Sequence, residues 1–239
     1  MLSHHDKCIF IHIPKTAGQS VESIFVERSG LRWENRQSLI LRPNSIPSMG
    51  PPRLAHLTAD EYIKLGYVSA ETFHQYYTFS FVRNPWARLV SEYQYRKQHG
   101  DAVYQQEFKS FLFNSFPTPA SDNHIIAKDY YRHVIPQWQF LYDEGGKCLV
   151  DFIGKFENLQ HDFDKVCSEL AIAQTILPHK NKTLATGIRP RIEKKLKQIF
   201  PFKNKQQHYS AYYDDESQQF VADYYQKDIE LFHYVFERK

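Results

Sequence analysis

The chain has 239 residues, with 30 Lys and Arg against 27 Asp and Glu, for a formal net charge of +3. That near balance excludes a global polyanion signature, so basic charge has to be sought locally, and the length suits a single α/β domain with a proper core. Three cysteines, Cys8, Cys148 and Cys167, are too few and too odd in number for a disulfide framework and fit a reducing compartment.

Met1 to Asp6 reads as a polar lead-in with no signal peptide, and no run long and apolar enough to span a membrane occurs anywhere. Cys8-Ile9-Phe10-Ile11-His12-Ile13 is then a short, nearly continuous apolar run, the pattern of a strand buried on both faces of a parallel sheet. Pro14 stops it, because proline lacks the N–H that a ladder needs. Lys15-Thr16-Ala17-Gly18 makes a tight turn, and Gln19-Ser20 opens a helix predicted from Gly18 to Arg28, ending at Gly30. A strand, a turn of small residues and a helix start form an anion site, since the first helical amides and the helix dipole favour negative charge. Lys15 adds a mobile cation, and Thr16 and Ser20 add hydroxyl donors. A Walker loop reads GxxxxGK[ST]; here Lys15 precedes the glycine, so the loop suits a phosphate-like group without being a Walker loop.

Leu31 to Arg53 carries four prolines and reads as a loop. Thr58 with Glu61 three residues later is a capping box, which places a helix start at Ala59 and puts His56 just before it. A histidine there can serve as a base near neutral pH or can simply bond a backbone carbonyl. His12, two residues before the first loop, is the competing candidate.

Tyr77 to Arg83 reads as a second buried strand. Asn84 is a good N-cap and Pro85 a good first helical residue, so Arg83 leaves the carboxyl end of a strand, where open α/β sheets bind ligands. Ser91 follows eight residues after Arg83, two turns along that helix. An arginine fork and a hydroxyl suit a second phosphate. Two anion sites at two strand-to-helix junctions imply a ligand with phosphates at both ends.

Beyond Gly100, Asp101 is expected to cap a helix carrying Phe108, Phe111 and Leu112, and Asp122 to His133 reads as a further helix. Tyr130, Tyr131, Arg132 and Gln137 are candidate acceptor contacts. Phe140 to Tyr142 and Cys148 to Ile153 read as two strands about the Gly145-Gly146 turn. Glu157 is expected to cap a helix from Leu159 to Ala171. From Lys180 through Lys205 there are nine Lys or Arg and one acid, Glu193, which reads as a basic insertion at about 182–207 with an amphipathic helix over Arg191 to Phe200. The last helix is predicted from Ser217 to Phe232. No internal repeat, HExxH, paired CxxC or acidic ligand cluster is present, so no metal is expected.

The stretches IPKTAGQS and FVRNPWARLVSEY together resemble the 5′-phosphosulfate and 3′-phosphate motifs of sulfotransferases that use 3′-phosphoadenosine 5′-phosphosulfate (PAPS). The nearest likeness is to the carbohydrate group, sulfotransferase family 2, which includes heparan sulfate 2-O- and chondroitin-type enzymes. KFENL from Lys155, LPHKN from Leu177 and HYSAYYD from His208 extend the resemblance. It implies a P-loop-like three-layer α/β sandwich with a central parallel sheet, spanning residues 1–239 as one domain. It also implies PAPS as co-substrate, adenosine 3′,5′-bisphosphate as product, and a hydroxyl-bearing acceptor, with a saccharide as the family expectation. Lys15, Thr16, Ala17, Gly18, Gln19 and Ser20 would hold the phosphosulfate, and Arg83 and Ser91 the 3′-phosphate. Tyr209 and Lys205 would close over the nucleotide; Lys205 stands in because His208 occupies the position of a basic residue in the family pattern. Lys15 and His56 would be catalytic, His56 as the base. The lack of an apolar anchor fits a soluble, cytoplasmic enzyme of bacterial type, or a Golgi lumenal enzyme trimmed to its catalytic domain. No nucleic-acid partner is expected. A small-metabolite or amine acceptor, a nucleotide kinase or NTPase, and a non-catalytic binding protein are the alternatives.

Overall fold

The structure is a computed structural model and describes residues 1–178 and 207–239. Its centre is a four-stranded sheet in the order β1 (Leu2–Ser3), β2 (Cys8–Ile11), β3 (Tyr77–Val82), β4 (Phe152–Lys155). β2, β3 and β4 are parallel, in the register Phe10 opposite Phe79 and Phe81 opposite Gly154, and β1 is antiparallel to β2. The lead-in is therefore not a polar preface: Met1 and Leu2 are buried and extend the sheet by one short strand.

The pleat sorts side chains onto two faces. Cys8, Phe10, Phe79 and Phe81 pack with Val21 and Phe25 of α1 (Gly18–Arg28) and with Phe163 and Val166 of α8 (Leu159–Glu169). Ile9, Ile11 and Val82 pack on the opposite face with Tyr62 of α2 (Ala59–Lys64), Phe73 of α3 (Ala70–Gln75) and Phe140 of α7 (Trp138–Leu141). Both faces of the sheet are thus covered, the three-layer arrangement expected for strands that read as continuous apolar runs. A third cluster joins α4 (Pro85–Gln98) to α5 (Phe108–Asn114) and to α9 (Asp215–Tyr224) through Trp86, Tyr93, Phe111 and Val221.

α1 and α4 start at the predicted residues, and the Thr58–Glu61 capping box is present in full. Several local expectations differ. Within the expected 122–133 helix only the last four residues are helical, in α6 (Tyr130–Val134); before it the chain turns back on itself through paired Asn123 and Lys128. Phe140 and Leu141 end α7 rather than forming a strand, and Tyr142 makes a single bridge to Cys148. The last helix divides at Tyr225 into α9 and α10 (Gln226–Phe232). Asp101 precedes a short 3-10 turn, Ala102–Gln105, with no side-chain cap. The basic stretch, with the helix expected over Arg191 to Phe200, lies outside the described residues.

Candidate active site

The first junction runs from β2 into α1. Lys15 and Ala17 both adopt left-handed backbone, at φ 70° and 66°. Non-glycine residues rarely sit there, and such conformations gather at functional sites. Gly18 has a different task. A Cβ on it would lie 2.0 Å from the His12 ring, so the glycine makes room for that imidazole against the helix start. Ala17 caps α1 with no side-chain hydrogen bond, and no acid occupies the first turn, Gly18-Gln19-Ser20. Two expected donors are already engaged: the Thr16 hydroxyl donates to the Ile13 carbonyl at 2.8 Å, and the Ser20 amide donates to the Ala17 carbonyl at 2.9 Å. The Lys15 ammonium lies 3.9 Å over the Tyr95 ring, and burial lowers its pKa to about 8 even though Glu92 pulls it upward.

The second junction runs from β3 into α4 and is locked by side chains. Gln137 is fully buried and grips the Arg83 backbone from both sides, accepting from its N–H and donating to its carbonyl, each at 2.8 Å. This replaces the expected acceptor role of Gln137. Asn84 caps α4 by accepting from the Ala87 amide, and the Asn84 amide donates to Glu157 at 2.9 Å. Glu157 therefore ties down the junction rather than capping α8. Arg132 is likewise committed, in a two-pronged pair with Glu61 at 3.1 and 2.7 Å. Tyr130 and Tyr131 pack against the third apolar cluster.

Two arginines bind the junctions together. Arg83 Nη1 donates to the Lys15 carbonyl at 3.1 Å, while its guanidinium lies 4.1 Å over the Phe156 ring. Its buried Nε has no partner among the described residues, and burial lowers its pKa to about 10. Arg88, 2 % exposed, donates to Pro14, Ile135 and His133 carbonyls at 3.1, 2.9 and 2.8 Å. Ser91 lies partly exposed on α4. Tyr209 sits beside the second junction, its hydroxyl accepting from the Glu237 amide at 2.8 Å and facing Asn84. Lys205 lies outside the described residues.

Behind Lys15 lies a buried polar cluster that the sequence reading did not assemble. The His12 and His56 rings meet at 4.5 Å and the His56 and His133 rings at 5.0 Å. His12 Nδ1 contacts Glu22 at 2.6 Å, His56 Nδ1 faces the His12 carbonyl at 3.1 Å, and His133 Nδ1 faces Glu92 at 2.8 Å. Asp129 lies 3.7 Å from His56 Nε2, 3.3 Å from His133 Nε2 and 3.3 Å from Arg96. Burial drives the His56 pKa well below the ordinary histidine range, aided by His12 and opposed by Asp129. Burial alone would also lower His133, but the Asp129 and Glu92 carboxylates outweigh it and raise the pKa. Of the two histidines weighed as base, His56 presents its Nε2 to Asp129, whereas His12 is wedged between Glu22 and Gly18. Glu92 and Arg96 come from α4 and Asp129 and His133 from α6 and the residue before it; each pair is four residues apart, but nothing local in the sequence brings the two pairs together. A buried acid and base on the helix following the second motif, Glu92 and Arg96, were the one available signal.

The two strand-to-helix junctions are thus tied together, with left-handed Lys15 and Ala17 at the first and Arg83 reaching from the second to the Lys15 carbonyl. Over residues 1–235 the chain matches the Sulfotransferase family (Sulfotransfer_2), and it belongs to that family. Among curated proteins it is 31% identical over 110 residues to an uncharacterized protein of Archaeoglobus fulgidus, covering 46% of this chain and 79% of that one. It is 23% identical over 190 residues to carbohydrate sulfotransferase 14 of Mus musculus and of Homo sapiens, covering 70% of this chain and 45% of each. The chain thus spans just under half the length of those two relatives. No solved structure matches significantly. Among the described residues, no helix is long and apolar enough to cross a membrane.

Proposed function

We propose that this sulfotransferase moves the sulfuryl group of PAPS to a hydroxyl of a carbohydrate acceptor. The observation that carries the reading is the cross-link between the junctions, in which Arg83 holds the Lys15 carbonyl and so fixes the distance between two anion-binding ends. PAPS supplies an activated sulfuryl group on a phosphate leaving group. The start of α1, which has no side-chain cap and no acid in its first turn, suits its phosphosulfate, because the positive end of the helix dipole attracts an anion. The Arg83 Nε, which has no partner among the described residues, suits the 3′-phosphate together with Ser91 on the following helix.

In this reading, the acceptor oxygen forms its bond to sulfur as the bond from sulfur to the bridging phosphate oxygen breaks. Lys15 neutralises the charge that develops on that oxygen. The acceptor proton passes to His56 Nε2, since Nδ1 faces a carbonyl and carries the hydrogen of the neutral ring. Asp129 beside Nε2 stabilises the imidazolium that results. Positioning and charge stabilisation supply most of the acceleration, as in phosphoryl transfer. The carbohydrate acceptor follows the name of the curated relatives, carbohydrate sulfotransferase 14.

The test is a panel of saccharides, phenols and amines incubated with sulfur-labelled PAPS, alongside calorimetry with adenosine 3′,5′-bisphosphate and ATP. Label transfer to a saccharide hydroxyl and selective binding of the bisphosphate are expected. Binding of ATP in preference to the bisphosphate, or label reaching only the amines, would overturn the assignment.

A further inference from the structure

Three electron-pair donors converge in the buried cluster behind Lys15: a ring nitrogen of His56, a carboxylate oxygen of Asp129 and a ring nitrogen of His133. These ligand atoms all lie within 4.8 Å of one another, and all three residues are buried. His56 Nε2 lies 3.7 Å from Asp129 Oδ2 and His133 Nε2 lies 3.3 Å from Asp129 Oδ1, on either side of the about 3.4 Å expected between two ligands of a tetrahedral zinc ion. Neither Asp129 Oδ2 nor His133 Nε2 has a hydrogen-bond partner among the described residues. A buried carboxylate oxygen left unpaired is costly, and a cation between it and the two ring nitrogens would remove that cost.

The surroundings are those of a metal ligand set. A ligating histidine usually hands its other ring N–H to a carboxylate or a backbone carbonyl, which turns the lone pair toward the metal. His133 Nδ1 faces Glu92 at 2.8 Å, and His56 Nδ1 faces the His12 carbonyl at 3.1 Å. Asp129 presents one oxygen to each histidine, Oδ2 to His56 and Oδ1 to His133, and Arg96 at 3.3 Å from Oδ1 holds the carboxylate in that orientation. Arg53, whose side chain is 46% exposed, reaches within 3.9 Å of Asp129 and marks the side from which solvent approaches.

We propose that His56, Asp129 and His133 form a binding site for a divalent transition metal of the zinc class, with a fourth coordination position left open. Two imidazoles and one carboxylate suit Zn²⁺ and Co²⁺ better than the hard cations Mg²⁺ and Ca²⁺, which take all-oxygen sets. The ion would occupy the His56 Nε2 lone pair. If His56 is the base of the reading above, metal occupancy and proton transfer compete, and zinc is an inhibitor.

The test needs no donor or acceptor, so it stands apart from the sulfotransfer assignment. Full-length protein is stripped with a chelator and titrated with cobalt chloride while its visible absorption is followed. One equivalent should give four-coordinate cobalt bands, which zinc chloride then abolishes. Asp129→Asn and His133→Gln should lose the bands, and Glu92→Gln should weaken binding by about 10–100-fold, the usual effect of removing a group that orients a ligand. His5→Gln, at an exposed histidine beside exposed His4, should change nothing. Should the buried variants fail to fold, the wild-type protein still decides, through cobalt-induced paramagnetic shifts of its histidine ring resonances. Shifts centred on His56 and His133 support the site. No cobalt bands, bands that survive in folded Asp129→Asn, or shifts confined to His4 and His5 overturn it.

Discussion

The two strand-to-helix junctions look alike in sequence and are built in opposite ways. After β2 the backbone does the work: two left-handed residues, Lys15 and Ala17, lead into a helix whose start has no side-chain cap. After β3 the side chains do it: Asn84 caps α4, Pro85 follows, and Gln137 and Glu157 hold the peptide groups on either side. A capped helix start has spent part of its affinity for an outside anion on its own residue. In the proposed function, the first junction would therefore bind its anion through the helix start and Lys15, and the second through Arg83 and Ser91. The difference also explains why the second junction holds the first, with Arg83 and Arg88 donating to the carbonyls of Lys15 and Pro14.

The sharpest way to break this contrast is Lys15→Met. Losing one group that stabilises developing charge costs roughly 10²–10³ in rate, so kcat should fall by that much with the fold intact. The partly buried ammonium also has a stability signature. Its folded pKa, about 8, lies below the unfolded lysine value, so between those two values the unfolded chain binds more protons. The parent should gain stability as pH rises from about 8 to about 10.5, and the variant should not. At pH 7 the variant should melt at the same temperature as the parent or higher. A clearly lower melting temperature would mean that Lys15 is structural. Parent activity in the unliganded range should decline above pH about 8, as the ammonium is lost.

Arg88→Met tests whether the second junction supports the first. It strips a buried guanidinium from three carbonyls, and hydrogen bonds to charged groups are worth about 1.5–3 kcal/mol each, not additively. A loss of about 3 kcal/mol or more in chemical denaturation is expected, together with weaker binding of adenosine 3′,5′-bisphosphate. Unchanged affinity in a folded variant would show that the loop keeps its shape without the clamp.

Gly18→Ala probes the other side of the loop. The added methyl meets the His12 ring, whose Nδ1 is fixed on Glu22, so the imidazole cannot simply swing away. Overpacking of this kind costs about 1–3 kcal/mol. Gly18→Ala in a His12→Ala background should recover most of that loss; if it does not, the strain lies in the backbone instead.

Much of this was legible in the sequence because it is local. The apolar runs of β2 and β3, the Asn84-Pro85 start and the Thr58–Glu61 box each depend on residues a few positions apart, and each appears where expected. The cluster around Asp129 was not legible, because its members arrive from α4, α6 and the turn before α2. The same holds for Gln137 and Glu157, polar residues whose partners lie 54 and 73 positions away. The expected 122–133 helix failed for a different reason. Asp122 accepts from the Tyr131 amide and Asn123 pairs with Lys128, so local polar contacts drew the segment into a turn.

The smallest effect separates capping from ligand binding at the second junction. Asn84→Ala removes the oxygen that accepts from the Ala87 amide, and the loss of such a cap typically costs about 1 kcal/mol. The side-chain amide also donates to the Val235 carbonyl at 2.9 Å, so the C-terminal segment carrying Phe236 loses an anchor next to Tyr209. If the α4 start is purely structural, the variant should melt earlier while adenosine 3′,5′-bisphosphate affinity stays within about twofold, well under the tenfold that 1.4 kcal/mol would bring. If the exposed amides instead bind the nucleotide better, affinity should rise as the cap is removed. That outcome would make the two junctions equivalent anion sites and dissolve the contrast between them.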